Sequence, residues 1–389
     1  MKKTIDTVLQ SAVADGDITG VAAIVADASG VLYQGAAGPR RSDWKEPIGP
    51  GDAFEIHSMT KPIATAGVMQ LVEQGRLDLD ADCGDLVPSL RNPMVLDGFD
   101  GDGKPTLRPA AAPVTLRRLL THSSGFVYDQ WNHEQKRWLE AAGAKRGDYY
   151  DDPAKCPPLA FDPGSKWEYG IGIDWAGKVL EAVAGQPLAL YLKGALLDPL
   201  QMNSTGYVAT DDIRKRLVGV HQRQPNGQIE PVDFSRPDLP PEAYSGGGGM
   251  FSTAEDYARF IRMILNDGEL DGVRVLAADT VATMAQNHLE GDVLVRPLPS
   301  AIPTMTFPVD LYPGKPKGWG LSYMINLEDE PGARRAGTLS WAGLRNSYFW
   351  IDRTSGVGGA IFTQMLPFAD PKTLAVYDRF ERAVYAELH

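Results

Sequence analysis

The segment EIHSMTKP, residues 55–62, contains a serine and a lysine three positions apart, Ser58 and Lys61. A helix that begins near Ser58 places these two side chains side by side, because positions i and i+3 are neighbours on a helix surface. A lysine removed from water loses part of the solvation of its charged form, which lowers its pKa and makes it a competent general base. The spacing therefore predicts a nucleophilic serine with a lysine as its base.

The same Ser-x-x-Lys spacing recurs at Ser42 and Lys45. That match lies in GPRRSDWKEPIGPGD, where prolines and charged residues leave no apolar periodicity for a helix. Ser58 instead precedes KPIATAGVMQLVEQG, whose apolar residues repeat at helical spacing until Gly75. Pro62 fits the first turn of a helix, where its missing N–H is not needed. We therefore expect a helix that begins near Ser58 and a surface loop around Ser42.

The orientation of this helix decides what Lys61 can do. Positions 58, 61, 65, 68 and 72 share one face, which overlaps the apolar face, so Lys61 is expected to point inward. Unpaired N–H groups at a helix N-terminus favour developing negative charge, so the backbone N–H of Ser58 is expected to serve an oxyanion hole. The local alternative is a Ser58 that only caps the helix and a Lys61 whose amine reaches water.

Strand patterns lie at both ends of the chain. An amphipathic helix over residues 5–13 precedes two apolar runs in 20–38, which a Ser29-Gly30 turn separates. Further short strand patterns fill 318–366, and a helical period closes the chain over 370–388. The middle is richer in helix patterns. The simplest arrangement is an α+β fold in which one antiparallel sheet is built from both termini and a mostly helical region is inserted between them.

The expected domain organisation follows from this pattern. Residues 1–85 and 305–389 form a discontinuous α/β domain that includes the Ser58 helix, and residues 86–304 form the inserted, mostly helical domain. The site is expected between the two, where ligand sites often lie.

Composition excludes several classes of protein. The chain has 389 residues, and 38 basic against 50 acidic side chains give a net charge of −12, which argues against a nucleic-acid or anionic-membrane partner. The sequence contains no run of eighteen apolar residues, so no membrane helix is predicted. The first twenty residues lack the apolar core that an export signal has. Cys83 and Cys156 are too few for a disulfide framework or a zinc site, and they fit a reduced, cytoplasmic setting. No metal or cofactor is predicted.

Six segments, taken in order, resemble the serine β-lactamase/penicillin-binding-protein-like family, and within it most closely the class C-like carboxylesterases (family VIII esterases). The segments are EIHSMTKPIATAGVMQLVEQGRLDLD, VTLRRLLTHSSGF, FDPGSKWEYGIGIDWAGKVLEAVAG, LLDPLQMNSTGY, SGGGGMFSTAEDYARFI and LSWAGLRNSYFWIDR. They cover nearly the whole chain. The resemblance implies a β-lactamase/transpeptidase-like fold, with an antiparallel sheet flanked by helices and an inserted helical domain.

The resemblance also implies catalytic roles. Ser58 matches the acylated nucleophile, Lys61 its base partner, and Tyr169, in WEYGI, the tyrosine of the family's Tyr-x-Asn motif. A tyrosine beside a lysine ammonium can relay the proton of the serine and later activate water. Considered alone, Tyr169 is explained more simply as a half-buried aromatic residue.

The chain departs from the lactamase pattern at two places. Ile171 replaces the asparagine of Tyr-x-Asn, and Trp341-Ala342-Gly343 replaces the Lys-Thr-Gly motif. In β-lactamases those polar side chains help to hold the amide and the carboxylate of the substrate. A Trp-Gly-Gly-like triplet is typical of the esterase branch, and Ala342 stands here for its middle glycine.

The same match extends to the residues after the triplet. The backbone N–H of Leu344 is expected to be the second oxyanion donor, opposite that of Ser58. Trp341 is expected to wall the acyl pocket, or else to be a core strand tryptophan. Arg345 is the one cation close to this strand in sequence. Its side chain is expected either to contact a substrate carboxylate or to be solvated at the end of the strand.

Ser245 is a competing nucleophile. Ala243-Tyr244-Ser245-Gly246-Gly247 imitates the Gly-x-Ser-x-Gly elbow, but the proline-rich approach SRPDLPPEAY disfavours the strand that an elbow needs. His57 and His122 adjoin serines in sequence without forming a triad pattern.

These features together predict a serine hydrolase that cleaves small-molecule, short-chain carboxylic esters through an acyl-enzyme on Ser58. Weak β-lactam hydrolysis is an expected side activity. The alternatives in the same class are a class C-like β-lactamase, an amidase or an acyltransferase. The alternative of another class is a non-catalytic, penicillin-binding-like sensor or scaffold on the same fold.

Overall fold

The structure, a computed structural model, describes residues 1–144, 155–233, 239–240 and 243–388. The approach to Ser245 lies partly outside these residues, so the expectation that no strand precedes this serine is tested only in part. In the described part of the chain, no helix combines the length and the apolar character that crossing a membrane requires.

The helices are distributed along the whole chain. They are α1 (Lys2–Ala14), α2 (Thr60–Glu73), α3 (Leu116–Leu120), α4 (His133–Ala142), α5 (Gly172–Ala184), α6 (Leu188–Leu192), α7 (Asp211–Arg216), α8 (Ala254–Leu265), α9 (Ala278–Met284) and α10 (Pro371–Ala386). Short 3₁₀ turns at His57–Met59, Cys83–Asp85 and Pro88–Leu90 and a π-helical turn at Lys193–Leu197 supplement them.

Strands occur in all parts of the described chain, and those of the largest sheet lie towards the two ends. They are β1 (Val21–Asp27), β2 (Val31–Ala37), β3 (Ala53–Glu55), β4 (Met94–Phe99), β5 (Pro105–Pro109), β6 (Val220–Arg223), β7 (Ile229–Val232), β8 (Phe251–Thr253), β9 (Glu269–Leu270), β10 (Val273–Arg274), β11 (Lys317–Trp319), β12 (Met324–Asn326), β13 (Leu339–Gly343), β14 (Ser347–Asp352), β15 (Val357–Phe362) and β16 (Met365–Leu366).

One seven-stranded antiparallel sheet joins the two termini, in the order β11-β12-β13-β14-β15-β1-β2. The junction is the pairing of β1 with β15, in which Ala23 lies opposite Ile361. The prediction of an α+β fold with a sheet built from both ends is confirmed.

Helices cover both faces of this sheet. A Cβ on Gly358 would meet Ile261 of α8 at 2.5 Å, whereas a Cβ on the next residue, Gly359, would meet the ring of Trp350 at 2.4 Å. Trp350 in turn contacts Phe380 of α10. Because successive strand residues face opposite sides, α8 and α10 lie on opposite faces. This explains why β1, VAAIVAD, is buried along nearly its whole length.

Helix α2 runs through the interior and connects the sheet region to the helical region. Nearly all of its residues are buried, and it packs against α5 and α6. Gly67 allows this close packing, since a Cβ there would lie 2.4 Å from Leu192. Helix α8, from the expected insert, packs on the sheet. The division at residues 85/86 and 304/305 therefore remains a proposal, because both regions share one core.

Candidate active site

The segment around Ser58 turns sharply from a strand into a helix. Strand β3 ends at Glu55, and the N–H of Ile56 donates to the carbonyl of Met250. His57 then adopts φ +45°, a conformation that side-chain-bearing residues rarely take and that often marks functional sites. Ser58 follows within a 3₁₀ turn that leads directly into α2. This turn presents Ser58 at the wall of a cavity.

The cavity has a volume of about 270 Å³ and lies between the sheet and the helical region. Its wall includes the predicted site residues Ser58, Tyr169, Trp341, Ala342 and Leu344. Residues that are distant in sequence therefore meet here, and the tertiary fold brings them together.

Lys61 is fully buried directly beneath the serine. Its Nζ lies 3.1 Å from Ser58 Oγ, 3.0 Å from the hydroxyl of Tyr128 and 2.7 Å from the carbonyl oxygen of Gly247. An ammonium has three N–H donors and no acceptor, whereas the neutral amine has a lone pair that can accept from a hydroxyl. The neutral amine in this position can therefore take the proton of Ser58.

A hydrogen-bonded chain extends from Lys61 through a second tyrosine. The hydroxyl of Tyr128 donates to Asp174 Oδ2 over 3.0 Å, and Ser245 Oγ donates to Asp174 Oδ1 over 2.7 Å. Asp174 is buried in the first turn of α5, where the helix N-terminus favours a carboxylate. These hydrogen bonds fix the position of the Tyr128 side chain and, through it, the position of Lys61 Nζ.

The glycine run after Ser245 is required by close backbone packing. A Cβ on Gly246 would lie 2.4 Å from the carbonyl of Ile173, and a Cβ on Gly247 would lie 2.0 Å from Asp174 Oδ2. Any larger residue would push the segment away from α5. This contact places the carbonyl oxygen of Gly247 within hydrogen-bond distance of Lys61 Nζ.

Ser245 therefore has a hydrogen-bond partner unlike that of an elbow nucleophile. Its hydroxyl is bound to the Asp174 carboxylate rather than to a histidine, and its carbonyl accepts from the hydroxyl of Tyr207 over 2.8 Å. This arrangement anchors the glycine-rich segment.

Tyr169 lies on the other side of the lysine. Its ring centroid is 4.7 Å from Lys61 Nζ, and its hydroxyl oxygen accepts a 2.9 Å hydrogen bond from Trp341 Nε1. The ring also packs on His122, with centroids 4.5 Å apart. Tyr169 is thus placed beside the proposed base, and its role as a proton relay stays a prediction.

His122 supports this aromatic wall as a neutral side chain. It is completely buried, and its Nδ1 accepts from the N–H of Gly170 over 3.3 Å. Burial, reinforced by the nearby Lys61, holds the pKa of His122 well below its usual value. The imidazole therefore adds no positive charge next to the lysine at neutral pH.

Strand β13 brings the Trp341-Ala342-Gly343 triplet alongside the nucleophile segment. A Cβ on Gly343 would lie 2.4 Å from the carbonyl oxygen of Ile56, so only glycine permits this approach. Leu344 follows at the cavity wall. The positions of Ser58 and Leu344 are compatible with a two-donor oxyanion hole, which stays a prediction.

Arg345 does not have the exposure that a solvated or substrate-binding arginine needs. Its side chain is buried, its Nη1 lies 2.8 Å from Glu55 Oε2, and it donates to Gln364 Oε1 over 2.9 Å. The guanidinium already binds a carboxylate inside the protein, so this geometry does not support the predicted contact with a substrate carboxylate, which stays a prediction.

Three contributors to the site were missed in the sequence. Tyr128 lies two residues after the LTHSSGF segment, and Asp174 lies three residues after Ile171, the residue that replaces the motif asparagine. In the sequence, Gly247 stands out only as the last residue of the elbow-like pattern around Ser245. The available signals were a tyrosine and a carboxylate inside family-like segments, but their convergence on Lys61 depends on the fold.

Comparison with known proteins agrees with this architecture. The family model described as Beta-lactamase matches residues 5–382, so the chain belongs to the Beta-lactamase family. A lovastatin esterase from Penicillium rubens is 33% identical over 373 residues, which are 91% of this chain and 90% of that protein. A monacolin J acid methylbutanoyltransferase from Aspergillus terreus is 29% identical, covering 98% of this chain and 95% of that protein.

Solved structures agree as well. The LovD6 mutant of simvastatin synthase (LovD) from Aspergillus terreus superposes with a TM-score of 0.84 at 28% identity, covering 99% of this chain and 94% of that chain. The relatives include esterases and acyltransferases. The protein is accordingly a hydrolase or acyl-transfer enzyme of the β-lactamase-like type.

Proposed function

We propose that this protein is a carboxylesterase that cleaves short-chain carboxylic esters through an acyl-enzyme on Ser58. The observation that supports it most directly is the 3.1 Å contact between Lys61 Nζ and Ser58 Oγ, made by a completely buried lysine. A buried amine is costly to keep unless it is paired, and here its partners include the hydroxyl that the reaction must activate.

The proposed reaction has two halves. Ser58 Oγ bonds to the ester carbonyl carbon while its proton passes to Lys61, and the N–H groups of Ser58 and Leu344 stabilise the oxyanion. The C–O bond to the alcohol then breaks, and the departing oxygen takes a proton from Lys61 through Tyr169. Water then attacks the acyl carbon and gives a proton to the same groups. The bond between the acyl carbon and Ser58 Oγ breaks, Ser58 Oγ takes that proton, and the acid is released.

The wall of the cavity favours neutral esters over β-lactams. Among the described residues that form it, the ionisable side chains besides tyrosines are Glu55, His57 and Asp174, and no lysine or arginine is included. Ile171 is buried and apolar where a lactamase has its asparagine. A substrate carboxylate therefore meets no cation in this wall, and β-lactam hydrolysis is expected to be weak.

A second candidate is transfer of the acyl group to an alcohol instead of water. The support is the methylbutanoyltransferase among the relatives, because both activities share one acyl-enzyme and differ only in the acceptor.

We further propose a cytoplasmic setting, supported by Cys83 and Cys156, which are both free thiols.

The test is turnover of p-nitrophenyl acetate and, separately, of a chromogenic cephalosporin, with Ser58→Ala as the control. An esterase turns over the first compound, and Ser58→Ala abolishes this activity. A sensor is acylated once and stops. Full activity in Ser58→Ala, combined with its loss in Ser245→Ala, would show that the nucleophile is misassigned. Adding a short alcohol and measuring the ester formed distinguishes transfer from hydrolysis.

A further inference from the structure

A buried ion pair joins the two segments that carry the proposed oxyanion donors. Arg345 Nη1 lies 2.8 Å from Glu55 Oε2, and the two side chains are only 4% and 5% exposed. Glu55 ends β3 three residues before Ser58, and Arg345 directly follows Leu344. The pair thus bridges the nucleophile segment and the turn between β13 and β14.

Gln364 connects Arg345 to Glu55 a second time, so the three residues form one hydrogen-bonded set. Its side-chain oxygen accepts from Arg345 Nη1 over 2.9 Å, and its Nε2 donates to the backbone carbonyl of Glu55 over 3.0 Å. Glu55 is therefore held through both its side chain and its backbone. The set restrains the direction as well as the distance between the two segments.

The turn that carries Leu344 is held from its other side as well. Asn346 has φ +60°, as expected in a three-residue hairpin turn, and its Nδ2 donates to the carbonyl oxygens of Met365 and Pro367. The carbonyl of Arg345 accepts from Thr363 Oγ1 over 2.9 Å. The turn is thus fixed to the chain after β15, and Arg345 makes its side-chain connection to the nucleophile segment.

The separation of the two segments matters because oxyanion donors act at short range. Each N–H must lie about 2.7–3.1 Å from the developing negative oxygen. The backbone of Gly343 already touches the carbonyl of Ile56, since a Cβ there would lie 2.4 Å from it. A small displacement of either segment would therefore move one donor out of range.

We propose that Arg345 is a positioning residue of the oxyanion hole, which acts through Glu55 to fix the N–H of Leu344 relative to that of Ser58. The inference rests on the proposed function. A hydrophobic pair of similar volume often stabilises a protein as well as a buried ion pair does, so stability alone does not account for this one. The connection that this pair makes between the two donor segments accounts for its presence.

The test compares Arg345→Lys with wild-type protein on p-nitrophenyl acetate and on phenylboronic acid. Lysine keeps the charge, but its Nζ lies one bond closer to the backbone than Arg345 Nη1, the nitrogen that contacts both Glu55 and Gln364. The boronic acid bonds to a serine oxygen and becomes a tetrahedral anion, so its affinity reports the geometry of the oxyanion hole. We expect kcat to fall about 10-fold or more, KM to change less than about 2-fold, and the inhibition constant to rise in parallel with the loss in kcat.

A second buried arginine–glutamate pair provides the matched control. Arg334 and Glu381 are 0% and 1% exposed with a contact of 2.7 Å, and neither lines the cavity. Arg334→Lys is expected to lower the melting temperature while kcat and the boronic acid affinity stay unchanged. If Arg345→Lys does not fold, the double variant Glu55→Gln/Arg345→Met, which removes both buried charges, replaces it.

Two outcomes would overturn the inference. One is a folded Arg345 variant with wild-type kcat and boronic acid affinity. The other is a raised KM with unchanged boronic acid affinity, which would indicate a substrate contact. Either result leaves the proposed function intact if Ser58→Ala is inactive. Activity that survives in Ser58→Ala would instead overturn the proposed function, and this inference with it.

Discussion

The indole N–H of Trp341 donates a 2.9 Å hydrogen bond to the hydroxyl oxygen of Tyr169. This bond links strand β13 to the segment before α5, and both residues are almost completely buried. A donor aimed at a phenol oxygen stabilises the negative charge that develops there when the hydroxyl gives up its proton. Trp341 therefore supports the proposed relay in addition to forming the cavity wall.

Replacing Trp341 with phenylalanine separates these two roles. The change keeps an aromatic wall and removes the N–H donor, so we expect kcat for p-nitrophenyl acetate to fall about 10-fold with KM changed little. Trp167→Phe is the control, since Trp167 belongs to the same aromatic cluster and its Nε1 has no hydrogen-bond partner among the described residues. Equal losses in the two variants would contradict the assignment.

Tyr128 and Tyr169 provide a second comparison, because both rings lie about 5 Å from Lys61 Nζ. Because the Tyr128 hydroxyl donates to Asp174, we expect it to orient Lys61 rather than to pass a proton to the serine. We expect Tyr169→Phe to lower kcat at least about 100-fold, the scale of a lost acid–base group, and Tyr128→Phe to lower it about 10-fold. The reverse order in steady-state kinetics would transfer the relay to Tyr128.

The Ser58 helix was predictable because its signals are local. Apolar spacing, Pro62 in the first turn and the Gly75 terminus all lie within one element, and α2 is found there with Lys61 buried. The order of strands at the two ends likewise predicted one sheet. Such patterns depend only on neighbours in sequence, so they can be recognised without the fold.

Arg345 shows what local patterns cannot reveal. It lies in a turn, beside polar residues, and a turn arginine is usually solvated. Its partner Glu55 belongs to the other end of the chain, so its burial follows from the pairing of distant segments. The same holds for Tyr128 and Asp174, which converge on Lys61 only when α5 packs against α2.

Gly247 tests the packing of the glycine-rich segment. In Gly247→Ala the new Cβ would lie 2.0 Å from Asp174 Oδ2, so either Asp174 or the carbonyl that binds Lys61 must move. We expect kcat to fall about 10-fold or more and the free energy of unfolding to fall by about 1–3 kcal/mol, as for other overpacked sites. Gly194→Ala is the control, because a Cβ at Gly194 has nothing within 4 Å. Urea unfolding and kinetics measure both effects, and a Gly247→Ala variant that behaves like Gly194→Ala would exclude this constraint.

A histidine outside the cavity wall makes stability depend on pH. His221 is buried, its Nε2 accepts from the N–H of Ser42 over 3.0 Å, and its Nδ1 lies 3.1 Å from Thr19 Oγ1. The first bond requires an unprotonated Nε2, so the neutral imidazole fits the site. Burial, with a smaller contribution from Arg41, lowers the pKa of His221 to about 4.

The sign of the pH effect follows from where the proton binds. Below pH about 6.5 the unfolded chain protonates His221 while the folded protein does not, so stability falls as the pH drops towards 4. The contribution of His221 lost over this range is about 3 kcal/mol, since each pKa unit corresponds to about 1.4 kcal/mol.

We expect His221→Gln to be less stable than wild type at pH 7.5 but to lose less stability between pH 7.5 and 4.5. Urea unfolding at the two pH values measures this, with the exposed His133→Gln as the control. His122 and His288 also have lowered pKa values and remain in every variant, so the difference between variants isolates His221. An equal decline in His221→Gln and in His133→Gln would show that His221 does not cause the effect.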